Sequence, residues 1–176
     1  GYTVVGPVMS AILVVLAAGV NILVVHGLLP LVAIFIEPAK VLFLNNAINH
    51  GIFTPLATAQ AAETGKSIMY MLEPNPGPGL GVLLVYMFFC KDMKTKQSAP
   101  GAIIIHVLGG IHEIYFPYIL MNPLVIIAPI IGNMVSIFWF NMVDCGLVGP
   151  ASPGSIIAYL MMTPGSDIWK VLVGVA

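Results

Sequence analysis

The sequence predicts an all-α protein, a polytopic set of transmembrane helices with re-entrant or broken helical hairpins, and three observations carry that prediction. The first is composition: of 176 residues, 59% are hydrophobic and 7% are charged, with a mean hydropathy of +1.03. A soluble globular domain carries about a quarter charged residues. A chain of this length leaves too much of itself at the surface to hide so much apolar side chain from water, so its solvent is lipid. The second is the long uncharged run: Val4–Ile36 and Ile114–Val143 hold no formal charge. The third is that several other apolar pieces are too short to cross a bilayer and carry Gly and Pro at their tips.

A spanning helix needs about twenty apolar residues at ~1.5 Å each. Val4–Val25 meets that length. Leu28–Leu44 is interrupted by Pro30 and by Glu37-Pro38, and Asn45–Ala62 is uncharged but studded with polar side chains, Gly51 and Pro55. Leu80–Cys90 is too short to cross alone, and Ala102–Ile111 and Ile114–Met121 are two short arms around Glu113. Leu124–Val143 is a second full-length span, and Pro153–Thr163 begins a weaker one. Irregular backbone is tolerated in a membrane only where it is buried in protein or lines a watery cavity, and transporters place their solute at such points. "KDMKTK" at 91–96 is the charge cluster, read as a short loop on the cytoplasmic side. The chain opens on Gly1 and its last segment, Trp169–Ala176, looks short, so a fragment of a longer protein is expected.

Several function classes are excluded by the same counts. Six lysines, no arginine and a formal charge of −1 give no basic stripe to neutralise phosphates, so nucleic acid is not a partner. Cys90 and Cys145 show no metal or redox spacing and are expected to be small buried hydrophobes. No metal and no cofactor is expected.

Four polar stretches need a reason. In "NNAINHGIFTP", 45–55, a helical start puts Asn46, Asn49 and His50 at i, i+3 and i+4 on one face. Amides and an imidazole there supply the donors and acceptors that a polyhydroxylated ligand requires, although a lone membrane histidine commonly serves as an interhelical hydrogen-bonding group. Glu113 is a carboxylate in a greasy stretch, and it must pair, accept hydrogen bonds or stay protonated. Gly109-Gly110 breaks the preceding helix, which places Glu113 at a hairpin tip turned into a cavity; the alternative is a structural acid paired with a histidine. In "EPNPGPGLG", 73–81, alternating prolines exclude regular helix and central strand, leaving either a rigid connection or a substrate-facing loop bearing Glu73 and Asn75. "CGLVGPASPGS", 145–155, fails as a phosphate cradle because Pro150 and Pro153 remove two of the N–H groups such a cradle uses. It reads as a loop leading into a helix start.

The strings "FLNNAINHGIF", "NPGPGLGVLLVYMFF", "KQSAPGAIIIHVLGGIHEIYFPY" and "PASPGSI" together resemble the membrane domain of the mannitol-specific enzyme II of the bacterial phosphotransferase system. The resemblance covers essentially the whole chain, 1–176, as the second half of that C domain. Asn122 in "LMNP" stands where the resemblance leads one to expect a basic residue, and Pro74 where it leads one to expect a smaller one.

The resemblance implies a dimeric, multi-pass protein of the bacterial inner membrane, surrounded by lipid. It would phosphorylate mannitol or a related hexitol as it delivers it to the cytoplasm. The phosphoryl group would come from a cysteine on a separate cytoplasmic B domain, whose donor motif is absent here. It further implies that Glu113 is the catalytic group, binding and deprotonating the terminal hydroxyl that attacks phosphorus. Asn46, Asn49 and His50 would bind further hydroxyls, with His112, Glu73 and Asn75 as additional substrate-binding candidates. The competing expectation is a proton-coupled secondary transporter that releases the sugar unmodified. The two readings differ in product, sugar phosphate or free sugar.

Overall fold

The computed structural model describes residues 2–176, and among these the regular structure is helical, joined by turns and loops, with one isolated β-bridge between Ser67 and Leu147. α1 (Tyr2–Val25) is 24 residues long, about 36 Å at the α-helical rise. Val4, Val8, Val15 and Ile22 stand exposed on it while Val20 is buried, the pattern of a helix whose surroundings are apolar. Gly27, at φ +72°, stops it: the Leu28 N–H reaches back to the Leu23 carbonyl at 2.9 Å and the Gly27 N–H to that of Val24 at 3.2 Å. This closes the last free carbonyls in the left-handed helix ending that favours glycine.

The interrupted stretch Leu28–Leu44 forms a tight turn, Leu29–Val32, with Pro30 at its start, followed by the nine-residue α2 (Ala33–Val41). Pro38 lies inside α2 and does not end it. Proline there forfeits a single backbone bond, and the packing of α2 against α8 outweighs that loss. Residues 45–64 wind continuously: α3 (Asn45–Ile48), a wider π turn over Asn49–Phe53, and α4 (Thr54–Thr64). Pro55 has no N–H for the Gly51 carbonyl, and its ring would press on that carbonyl in a regular helix. The wider turn relieves both conflicts.

α5 (Gly77–Phe89) and α6 (Met93–Val107) form an antiparallel hairpin joined by residues 90–92. At about 20 and 22 Å they fall short of a ~30 Å hydrocarbon core. Pro78 sits in the first turn of α5, where its missing N–H costs nothing, so the helix starts earlier than the proline run suggests. Asp92 caps α6, its Oδ2 accepting from the Thr95 N–H at 2.8 Å and the Thr95 hydroxyl at 2.6 Å. Lys94 and Lys96 therefore belong to the first turn of α6 and not to a loop.

After α6 the chain turns at Gly110, φ +73°, and passes through a short turn, His112–Tyr115, into α7 (Phe116–Met121). A second turn, Pro123–Ile126, leads into α8 (Ile127–Met142), and α9 (Ile156–Met161) and α10 (Ile168–Val175) complete the chain. Ser155 caps α9, accepting from the Ala158 N–H at 3.1 Å, as expected for a loop entering a helix. Two helical runs, Thr3–Val25 and Pro123–Met142, are long and apolar enough to cross a membrane.

α8 is the central element, packed on α2, α5 and α10. It buries Pro129, Asn133, Ser136, Ile137 and Phe140 on one face and exposes Ile131, Val135, Phe138 and Met142 on the other. The buried face carries Asn133 and Ser136, and the exposed face is apolar until Asn141 in the last turn. Cys145 is buried as expected, whereas Cys90, after the end of α5, is only half-buried.

Candidate functional site

The irregular segments come together around a cavity of about 280 Å³. One wall is the winding at 45–54, which contributes Asn45, Asn46, Asn49, His50 and Thr54. A second is Tyr70 with Glu73 and Pro74. The third is the turn carrying Gly110, His112 and Glu113, and the fourth is the loop Pro150–Gly154. No lysine lies in this lining and the chain has no arginine, so the cavity offers amides, carboxylates, hydroxyls and two imidazoles. That set matches a neutral, hydroxyl-rich ligand and not an anion, which would need a cation or a row of N–H donors.

Glu73 is almost fully buried and held from the opposite wall. Asn45 donates its Nδ2–H to Oε1 at 2.9 Å, and Asn49 donates its own to Oε2 at 3.3 Å. Two amide donors hold the carboxylate in place and leave its remaining lone pairs for a hydroxyl. Asn46, His50 and Glu113 are exposed to the cavity side. The two acids thus differ in kind: Glu73 is anchored by protein amides, whereas Glu113 stands open at its turn.

Behind the cavity lies a buried polar network that composition alone does not reveal. Lys40 and Glu37, one turn apart on α2 and both fully buried, pair at 3.0 Å. Asn133 of α8 donates to Glu37 Oε1 at 2.7 Å and to the Leu72 carbonyl at 3.3 Å, and the Tyr115 hydroxyl donates to Glu37 Oε2 at 3.3 Å. Asn75 joins the network through Asn133 Oδ1 at 3.3 Å and accepts the Gly77 N–H at 3.0 Å. This network fixes the Leu72–Asn75 segment, and hence Glu73, against α2 and α8.

Of the residues nominated from sequence, Glu113, Asn46, Asn49, His50, His112 and Glu73 share one cavity. Asn75 lies apart from it, both ends of its amide engaged within the protein. Sequence reasoning did not nominate Asn45, Thr54, Tyr70 or the Pro150–Gly154 wall as parts of the site. It also passed over Glu37, Lys40 and Asn133, although Glu37 and Lys40 carry the signal that singled out Glu113, a charge in an apolar run. A larger groove of about 880 Å³ runs along α5, α8 and α10, lined by Val82, Val85, Phe89, Val135 and Trp139 among others. It contains no carboxylate or histidine and offers a polyol little.

Fold and cavity define an all-α membrane protein of broken helices whose irregular turns enclose a polar pocket. The chain is 64% identical, over 171 residues and 97% of its length, to the PTS system mannitol-specific EIICB component of Geobacillus stearothermophilus. It is 60% identical over 97% of its length to the PTS system mannitol-specific EIICBA component of Escherichia coli, and 57% identical over 97% to the EIICB component of Bacillus subtilis. Over nearly its whole length, then, the chain is homologous to one segment of the PTS mannitol-specific components, as its motifs indicate. It spans 36%, 27% and 36% of those three relatives respectively. No family model matches the chain, and no solved structure matches it.

Proposed function

We propose that this chain is the solute-binding part of a phosphotransferase-system transporter, the second half of its membrane C domain, which takes up mannitol and phosphorylates it on delivery to the cytoplasm. The observation that carries the reading is the convergence of six residues nominated from sequence on one cavity without a cationic lining. The relatives' names, all PTS mannitol-specific components, favour phosphorylating uptake over proton-coupled release of free sugar. In this reading Glu73, fixed by Asn45 and Asn49, accepts one hydroxyl of the hexitol. Asn46, Asn49 and His50 bind others, and His112 forms part of the wall. Asn75 serves by holding the Glu73 loop in place.

Glu113 is the group placed to act on the terminal hydroxyl. As that oxygen attacks phosphorus, the O–P bond forms and the S–P bond of a phosphocysteine on a separate B domain breaks, its electron pair passing to sulfur. The hydroxyl proton passes to the Glu113 carboxylate. Phosphoryl transfer asks mainly for positioning and charge control, which a carboxylate at a rigid turn supplies. The assembly is a homodimer in the inner membrane, the chain crossing it several times.

Replacing Glu113 with Gln in the full-length protein, supplied with phosphorylated donor domain, is expected to lower mannitol phosphorylation by about 10²–10⁴-fold, the range for loss of a general base. Wild-type rates from Glu113→Gln would exclude this role. Free mannitol in place of mannitol phosphate inside loaded vesicles would exclude the phosphotransfer reading altogether.

A further inference from the structure

Two segments that carry cavity walls, Glu73–Pro76 and Pro150–Gly154, are each hydrogen-bonded to a histidine, one just before the Glu113 turn and one within it. His106, fully buried in the last turn of α6, places Nε2 2.9 Å from the Pro76 carbonyl. His112, also buried, places Nε2 2.9 Å from the Gly154 carbonyl. A carbonyl only accepts, so each ring carries its proton on Nε2 and donates it. The two rings meet edge to face with centroids 4.6 Å apart, and the Tyr115 ring packs edge-on to His106 at 5.2 Å. Backbone closes in from both sides. A methyl group on Gly79 would meet His106 Nε2 and the Tyr115 ring, and one on Gly154 would meet His112 Nε2 and approach the Pro74 carbonyl.

Resting on the polyol-binding reading above, we propose that His106 and His112 form a two-ring clamp that sets the spacing between the Glu73 and Glu113 carboxylates. They are positioning residues. Their Nε2–H groups are spent on Pro76 and Gly154, so the clamp joins the segment of the anchored acid to the turn of the open one. A polyol spanning both acids depends on that separation, because binding through two fixed points is lost when either moves by about 1 Å. His106 acts through the Glu73 segment alone, and His112 through the 150–154 wall.

The test uses membranes carrying the full-length protein. His106→Phe and His112→Phe keep the ring packing and delete the donor; each is expected to weaken mannitol binding about tenfold, the worth of one well-placed buried hydrogen bond. His106→Gln and His112→Gln keep an N–H at similar reach and are expected to stay within about threefold of wild type. In a Glu73→Gln background, His106→Phe should add less than about twofold, because residues that act as a unit do not add. Amide exchange supplies an arm that needs no ligand. Residues 73–77 should exchange faster in His106→Phe and residues 150–156 faster in His112→Phe, with the rest of the chain unchanged.

Additive losses in the double variant, or unchanged exchange in those two segments, overturn the clamp. If the wild type binds no mannitol, the functional reading falls while the exchange arm still decides the clamp. Should His112→Phe fail to fold, Gly154→Ala, whose methyl would press on the His112 Nε2 that bonds the Gly154 carbonyl, takes its place. The same rise in exchange over residues 150–156 is then expected, and its absence counts against the clamp.

Discussion

Glu37 and Glu113 show how neighbours decide what a carboxylate does. Each sits in an apolar stretch. Glu113 faces the cavity with its oxygens open, whereas Glu37 is fully buried and receives donors from Lys40, Asn133 and Tyr115. A carboxylate offers about four acceptor sites, so Glu37 is close to saturated and has no capacity left for a ligand. The Lys40 ammonium is equally enclosed, and removing one partner of a buried pair strands the other. Lys40→Met is expected to cost about 3–5 kcal/mol, and adding Glu37→Gln should recover much of that loss, because replacing both ions removes the stranded charge. Thermal unfolding in a bilayer or detergent reads the difference. A single Lys40→Met variant that melts like wild type would mean that the pair does not stabilise the α2–α8 contact.

At the scale of the element, the broken pieces were legible from proline and glycine, and their joints were not. The turn at Gly110 follows from residue type, whereas the expected hairpin of two short arms around Glu113 gives way to a pairing of α6 chiefly with α5. The π turn at 49–53 does not follow from residue type, because it depends on where the strain from Pro55 is released, and that is decided by packing. Pro38 misleads for the same reason: local propensity says break, and burial of α2 says continue. The basic "KDMKTK" segment was read as a loop because its charge was counted and its cap was not. The Asp92 cap carries a pH signature. The Thr95 hydroxyl and N–H hold the Asp92 carboxyl below its ordinary value of 3.8. A carboxyl lowered in the folded state contributes stability that is complete above its unfolded value and lost as pH falls through its folded one. The first turn of α6, residues 93–96, should therefore fray in acid below pH 3.8, and Asp92→Asn should flatten that dependence. Amide protection of 93–96 against pH measures it, and a wild-type profile without an acid limb would show that the cap adds nothing.

Across the whole molecule a set of polar groups lies inside, beside two buried apolar clusters, and much of the outer surface is apolar. Asn133, Glu37, Lys40 and His106 are fully buried, while Ile131, Val135, Phe138 and Leu124 stand more than half exposed. Composition foretold this inversion, since a chain with 7% charged residues has too little polar surface to face water. Composition cannot tell which face of a uniformly apolar helix turns outward; on α8 one amide, Asn133, lies on the inner side while a second, Asn141, is exposed, and only the partners of Asn133 on α2 and the 72–75 segment reveal which is which. Lipid and water make opposite demands on that outer face. Ile131, 55% exposed, lies near the middle of the Pro123–Met142 run. If hydrocarbon surrounds it, Ile131→Lys should cost about 2.5–3.5 kcal/mol of insertion free energy, the usual penalty for a lysine at the centre of a spanning helix. A water-facing helix would accept the same lysine at no cost, since exposed substitutions there stay within about 0.5 kcal/mol. Insertion of the Pro123–Met142 segment, scored by glycosylation of flanking sites in a membrane translation assay, separates the two. Full insertion of Ile131→Lys would show that this face of α8 is covered by protein or water and would remove lipid as its neighbour.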